Sequence, residues 1–365
     1  MLPADDGTES RTESPLRGRR FIARTASDVR VLASATLMGV DRICGTLVSC
    51  VAVLLMWAAG CTTADRTPPV TVTRADWSFD GVPGRKLTTT HFDIYSTLTD
   101  APFEKALPGF LEAAHRQYAA LLPPSDTTDR LQTYVFANRR QWDAFTRRRF
   151  PQRYRVYRQI GSGGFANGNV CVAYYLRSRA PTLAVLAHEG MHQYFAHHFK
   201  GPLPAWINEG LACYCESYDL PGGTPRFTPR HNTFRINALR EALALDALIP
   251  LDEMLATDAG KVIVNGQSRR IKTYYAQAWA MVLFCRDGGN DTYAAGFERM
   301  LGDITTGRLQ RVARANQISS PGASQTSYGK AVFRAYITDD LPAFDKSFRA
   351  YIHRLAGFRA PADAP

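Results

Sequence analysis

The sequence predicts an α+β fold: a small mixed sheet carrying one apolar central helix, followed by a mostly helical C-terminal half. Short runs of alternating polar and apolar residues, interleaved with helical segments, occupy the first part of the chain. Beyond residue 200 only the helical period remains. Composition agrees with a packed chain. Hydrophobic residues make up 45% and charged residues 21% of 365, which excludes disorder or a coiled coil as a reading of the whole.

The elements follow in order. Residues 88–96 (TTTHFDIYS) place Phe92 and Ile94 on one face of a strand. Residues 101–121 repeat Phe103, Leu107, Phe110, Leu111, Ala114 and Tyr118 at helical spacing. A second strand is expected at 131–136 and a second helix at 139–149. The run Gly161-Ser162-Gly163-Gly164 reads as a hairpin turn leading to a third strand at 170–175. It lacks the third glycine of a dinucleotide fingerprint and precedes a strand where that motif needs a helix. Pro181 suits the start of a helix ending near Lys200. Further helices are expected at about 205–218, 234–245, 274–286, 293–301 and 341–355.

The N-terminal region has a different character. Residues 1–37 are polar without any period and read as a disordered or mis-annotated extension, with Met38 as the alternative start. Residues 44–59 form an apolar run broken only by Gly45, Thr46 and Ser49. That run is shorter than the roughly 20 residues of a spanning helix, as in a signal segment. Its end, Ala58-Ala59-Gly60-Cys61, resembles a bacterial lipobox, with Ala58 where leucine is usual. The resemblance implies cleavage before Cys61 and lipidation of that cysteine. An uncleaved anchor is the alternative, and it puts the remainder in the same extracytoplasmic compartment. The expected division is 38–61 signal, 62–86 tether, 87–200 α+β part, 201–356 helical part and 357–365 tail.

The net charge is +11, and downstream of Cys61 the chain still has 37 basic against 27 acidic residues. This favours anionic neighbours such as a membrane surface or envelope polymer. Nucleic acid is not expected as a partner, because Arg147-Arg148-Arg149 is an isolated basic run at a helix end. Four cysteines lie beyond Cys61: Cys171, Cys213, Cys215 and Cys285. In an oxidising compartment they would form two bridges or remain buried thiols. No oligomeric state follows from the sequence.

The chemistry is concentrated in His188-Glu189-Gly190-Met191-His192, an H-E-x-x-H pattern on the helix expected from Pro181. Four residues advance a helix by about 400°, so His188 and His192 lie about 40° apart and both imidazoles reach one metal ion. Glu189 is adjacent and suits a general base acting on water. Two buried histidines bonded to backbone carbonyls would be the bland alternative, and it leaves Glu189 unexplained.

Zinc requires a third protein ligand, for which two residues compete. His198 stands at the spacing of H-E-x-x-H-x-x-G-x-x-H, but Phe195 occupies the position that needs glycine. Glu209, in Trp206-Ile207-Asn208-Glu209-Gly210-Leu211-Ala212, lies about as far beyond Gly201 as His192 lies before it. Two antiparallel helices joined at Gly201-Pro202 therefore bring Glu209 level with His192. Glu216, seven residues on, falls on the same face and suits a hydrogen bond to a liganding histidine. Glu209 is the expected third ligand.

H-E-x-x-H followed by N-E-G-x-A and a further glutamate resembles the gluzincin metallopeptidases, specifically the bacterial peptidase MA-like group. The resemblance implies a zincin-like fold with an active-site helix, zinc held by His188, His192 and Glu209, Glu189 as base and Glu216 behind the ligands. It also implies an oxyanion-stabilising tyrosine at the start of a later helix. Tyr275 is similar in setting, with Tyr274 as the fallback. The implied activity is peptide-bond hydrolysis at the membrane on which Cys61 is anchored. A non-catalytic, zinc-stabilised envelope lipoprotein that binds wall polymer or a protein partner is the competing expectation.

Overall fold

The computed structural model describes residues 69–161, 163–257, 268–318 and 327–359. The expected signal segment, Cys61 and the first part of the tether lie outside the described residues. The fold is α+β, with a six-stranded mixed sheet in the N-terminal half and helices dominating the C-terminal half.

Strands β1 (Thr73–Phe79) and β2 (Val82–Thr88) form an antiparallel hairpin at the edge of that sheet. The tether expected up to residue 86 is therefore corrected from residue 73 onward. The cause is local. Asp80 and Gly81, with φ of 51° and 76°, make the two-residue Asp-Gly turn that matches strand twist. Trp77 and Phe79 share one face and pack on Phe136, at 6.4 and 5.1 Å between ring centroids. β3 (Phe92–Ser96) pairs antiparallel with β2 and parallel with β4 (Leu131–Phe136). The crossover between them is α1 (Ala101–Leu121), whose N-terminus is capped by Asp100 accepting from the Phe103 amide at 3.1 Å.

After α2 (Arg139–Arg149) and the single turn α3 (Tyr154–Tyr157), the chain forms β5 (Gly164–Asn167) and β6 (Val170–Tyr174). These two pair antiparallel, and the sheet order is β1-β2-β3-β4-β6-β5. The hairpin turn is thus at residues 168–169, and the glycine run instead leads into the edge strand β5. The strand at 170–174 is interior. Its uninterrupted burial, all five residues, is what a strand flanked on both sides requires.

One face of the sheet packs Phe92 and Ile94 against Phe103, Leu107 and Leu186. The other packs Phe79, Phe136 and Phe165 around Trp142. The first face carries α4 (Arg179–His198), which also lies against α1. Their contact is close because position 190 is glycine: a Cβ there would lie 2.5 Å from the Tyr118 hydroxyl. That hydroxyl donates to the Ala187 carbonyl at 2.8 Å.

The helical half comprises α5 (Ala205–Tyr214), α6 (Thr233–Ala244), α7 (Leu251–Ala256), α8 (Ser268–Leu283), α9 (Asp291–Thr305), α10 (Leu309–Ile318), α11 (Tyr328–Tyr336) and α12 (Leu341–Leu355). Its core gathers Trp206, Trp279, Phe284, Phe333 and Phe344. The helix expected to reach 218 stops at 214, and the chain then makes a small hairpin of β7 (Tyr218–Asp219) and β8 (Arg226–Phe227). α8 starts six residues earlier than expected from the apolar spacing, because its first turn is exposed and polar. Cys171, Cys213, Cys215 and Cys285 are buried free thiols. No helix among the described residues is long and apolar enough to cross a membrane.

Candidate metal centre

The apolar stripe Leu183, Leu186 and Ala187 seats α4 on the sheet, which turns His188 and His192 toward α5. Their rings meet at 80°, with the two Nε2 atoms 3.2 Å apart. α5 runs back alongside after the reversal at 199–204. It sits hard against α8, since a Cβ on Gly210 would lie 2.6 Å from the Ala278 carbonyl oxygen. Trp206 adds a bond from its indole N–H to the Gly329 carbonyl at 3.2 Å.

This placement brings Glu209 Oε2 to 3.4 Å from His188 Nε2 and 3.3 Å from His192 Nε2. The oxygen is buried and has no hydrogen-bond partner among the described residues. A buried carboxylate oxygen without a donor is costly. Tetrahedral zinc with bonds of about 2.0–2.1 Å separates its ligand atoms by about 3.3–3.4 Å, close to all three distances found. The donor set therefore fits zinc, with His188, His192 and Glu209 as the residues that would hold it. The charges agree. Burial works against the ionised Glu209, yet His192 and His188 beside it hold its carboxyl far below the usual range. Burial likewise opposes protonation of the two rings, and the surrounding Cys213, Glu209 and Glu216 nonetheless push His188 up.

Each ring is oriented from behind. Glu216 Oε1 accepts from His188 Nδ1 at 2.8 Å, and Asn208 Oδ1 stands 3.2 Å from His192 Nδ1. With each Nδ1 engaged from behind, both Nε2 atoms face Glu209. Glu216 is itself clamped. Arg235 Nε donates to its Oε2 at 2.9 Å and Asn232 Nδ2 at 2.8 Å. Burial would raise its pKa, but Arg235 and His188 bring it down to about 2. Asn232 also caps α6, its Oδ1 accepting from the Arg235 amide at 3.2 Å. One residue thus starts the helix and aims the guanidinium. The sequence singles out Glu216 but not Asn208, Asn232 or Arg235. Asn208 was visible within N-E-G, whereas the other two lie 16 and 19 residues past Glu216 without a motif.

Glu189 lines the groove beside the two histidines. β5 passes so near that a Cβ on Gly164 would lie 3.3 Å from its Cγ. Burial pushes the Glu189 carboxyl up, against the pull of His188 and His192. The Tyr275 ring lies 5.8 Å from the His188 ring, and the Arg235 guanidinium is 5.2 Å from the Tyr275 centroid. Burial raises this phenol well above its ordinary range, so it keeps its proton. Tyr274, the fallback, is turned into the core. His198 is not brought to the centre; its Nδ1 bonds the Ser125 hydroxyl at 3.2 Å.

His188, Cys213 and Glu216 form a second converging set of donor atoms. Cys213 Sγ is 3.9 Å from His188 Nδ1, a nitrogen that Glu216 already engages. The whole arrangement opens on a groove of about 1470 Å³, walled by α4, β5, Tyr218–Leu220 and the starts of α6 and α8.

A family model described as a protein of unknown function (DUF1570) matches residues 182–301. The matched span holds His188, Glu189, His192, Glu209, Glu216, Arg235 and Tyr275, so the likeness coincides with the site. No curated protein and no solved structure matches the chain.

Proposed function

We propose that the protein is an extracytoplasmic, zinc-dependent metallopeptidase of the gluzincin kind, held to the membrane through a lipid on Cys61. The reading is carried by one observation: two imidazole nitrogens and a donorless buried carboxylate oxygen converge at 3.2–3.4 Å beside a free glutamate, on the wall of an open groove. The membrane location rests on the character of residues 38–61.

Zinc, when bound there, supplies Lewis acidity toward a carbonyl oxygen and brings the attacking water's pKa to near 7. Glu189 takes the proton from that water and delivers it to the departing amine. The Tyr275 hydroxyl donates a hydrogen bond to the carbonyl oxygen as negative charge develops on it. Glu216 and Asn208 keep the ring protons on Nδ1, and Arg235 with Asn232 keeps Glu216 ionised. The edge strand β5 offers its unpaired backbone groups to an extended substrate beside Glu189.

Glu189→Gln tests the reading. The variant is expected to retain one equivalent of zinc and lose cleavage of any accepted peptide. Full activity in that variant would refute the mechanism. Zinc retention with no cleavage by either wild type or variant would favour the non-catalytic zinc-stabilised lipoprotein instead.

A further inference from the structure

We infer that the groove accepts an internal, extended stretch of polypeptide carrying bulky apolar side chains, and so acts as an endopeptidase cleft. The inference rests on the metallopeptidase reading and adds the class of substrate.

The described charged residues of the groove argue against capture of a chain end. A peptidase that selects a free amino terminus needs a fixed carboxylate for the ammonium, and one that selects a carboxyl terminus needs a fixed cation. Among the described residues lining the groove, Glu209 faces the two imidazoles, Glu189 is assigned to the water, and Glu216 is clamped by Arg235 and Asn232. Asp219 is exposed and paired with Arg226 at 3.3 Å. The buried guanidinium of Arg235 is spent on Glu216. Arg153 and Lys272 remain, both exposed on the rim. Among the described residues neither kind of terminus finds a buried, uncommitted partner. The size agrees. About 1470 Å³ exceeds the roughly 300–1,000 Å³ of pockets that enclose one small molecule.

The rim then indicates which side chains are met. Only five large hydrophobic residues are exposed among the described residues, and three of them line this groove: Val156 at 47%, Leu220 at 49% and Phe234 at 58%. They come from α3, the β7–β8 hairpin and the start of α6, three separate segments converging on one opening. Such exposure costs solubility unless it is covered by a ligand. Phe195 and Leu203 continue the apolar wall beyond His192. A substrate lying along β5 therefore passes apolar surface on both sides of the metal centre.

The test uses the zinc-loaded full-length protein and ten-residue peptides of one length. One peptide is acetylated and amidated with Leu-Phe at its centre, one is blocked with Ser-Asn at its centre, and one is the Leu-Phe peptide with free ends. Internal cleavage of the blocked Leu-Phe peptide is expected, at a kcat/KM similar to that of the free-ended one. Its kcat/KM should exceed that of the Ser-Asn peptide by about 10-fold or more. Phe234→Ser and Leu220→Ser should narrow that ratio mainly through KM. Cleavage confined to free ends with release of single residues would overturn the inference and leave the metallopeptidase standing. Equal rates on the two blocked peptides would overturn the apolar selection. No cleavage of any peptide by protein that binds zinc and a hydroxamate would remove the underlying reading and this one with it.

Discussion

Among the described residues two clusters of histidine and glutamate meet α4, one through His188 and His192 and the other through His198, and the first alone has the geometry of a candidate metal centre. At the first, the His188 and His192 rings cross at 80° and aim Nε2 atoms at the same point as Glu209 Oε2. At the second, His91 and His115 stack face to face, 3.8 Å between centroids and 14° from parallel, with His198 beyond them. There Glu112 accepts from His91 Nδ1 at 2.7 Å, from the His91 amide at 2.9 Å and from Thr89 at 2.6 Å. The carboxylates are alike: burial opposes ionisation in both, and hydrogen bonds and charge bring both Glu112 and Glu216 down to about 2. The direction of the lone pairs differs. Stacked rings point their nitrogens outward along parallel planes, so no three donors converge. Among the described residues, both converging sets include His188. Ligand count is thus a poor guide to a metal site, and orientation decides.

Substitutions that separate the two clusters test this. The largest effect is expected from Glu209→Ala, which should lose the zinc equivalent and all peptidase activity, while His198→Ala keeps both. Metal analysis of the two purified proteins distinguishes Glu209 from the H-E-x-x-H-x-x-G-x-x-H position. If zinc is lost from the second variant and retained in the first, the ligand set is wrong.

Removing the supporting carboxylates should act differently at the two places. Glu216→Ala is expected to weaken zinc about 10–100-fold, because Arg235 and the His188 Nδ1 proton lose their shared acceptor. Glu112→Ala should leave zinc affinity unchanged and cost about 1–3 kcal/mol of folding stability. Competition with a chelator reads the first quantity and urea denaturation the second. Similar zinc losses in both variants would erase the distinction.

Acid should destabilise through the second cluster. Burial, together with neighbouring His91, lowers His115 to about 4, and burial with His197 lowers His198 to about 4. The unfolded chain binds these protons from pH 6.5 downward and the folded one only near 4, so stability falls as pH drops through that window. The slope is at most about 1.4 kcal/mol per pH unit for each ring, and smaller for the partly exposed His198. His115→Phe should flatten the urea midpoint between pH 6.5 and 4; an unchanged slope would show that the stacked rings do not control it. The smallest effect is expected from Tyr118→Phe, about 1 kcal/mol for the lost bond to the Ala187 carbonyl, with zinc binding intact.

Much of this was legible beforehand. The spacing of His188 and His192 follows from the helical period, and the reversal at Gly201-Pro202 carries Glu209 back to their level. The β1–β2 hairpin was not, because β1 is mostly exposed on its edge and its polar residues read as tether beside Pro68-Pro69. The Asp80-Gly81 turn was the missed signal. β5, only four residues long, has no period to detect, so the pattern shows only its longer neighbour at 170–174.

The sequence by itself determined the pair of imidazoles, the adjacent Glu189 and the returning Glu209, since these depend on helical geometry over one or two turns and a short reversal. Only the tertiary structure decided which strand borders the groove, that Arg235 and Asn232 hold Glu216, and that Tyr275 rather than Tyr274 faces the centre. Those choices depend on how separate segments pack, and packing is set by the shapes of many side chains at once, a property that no local spacing encodes.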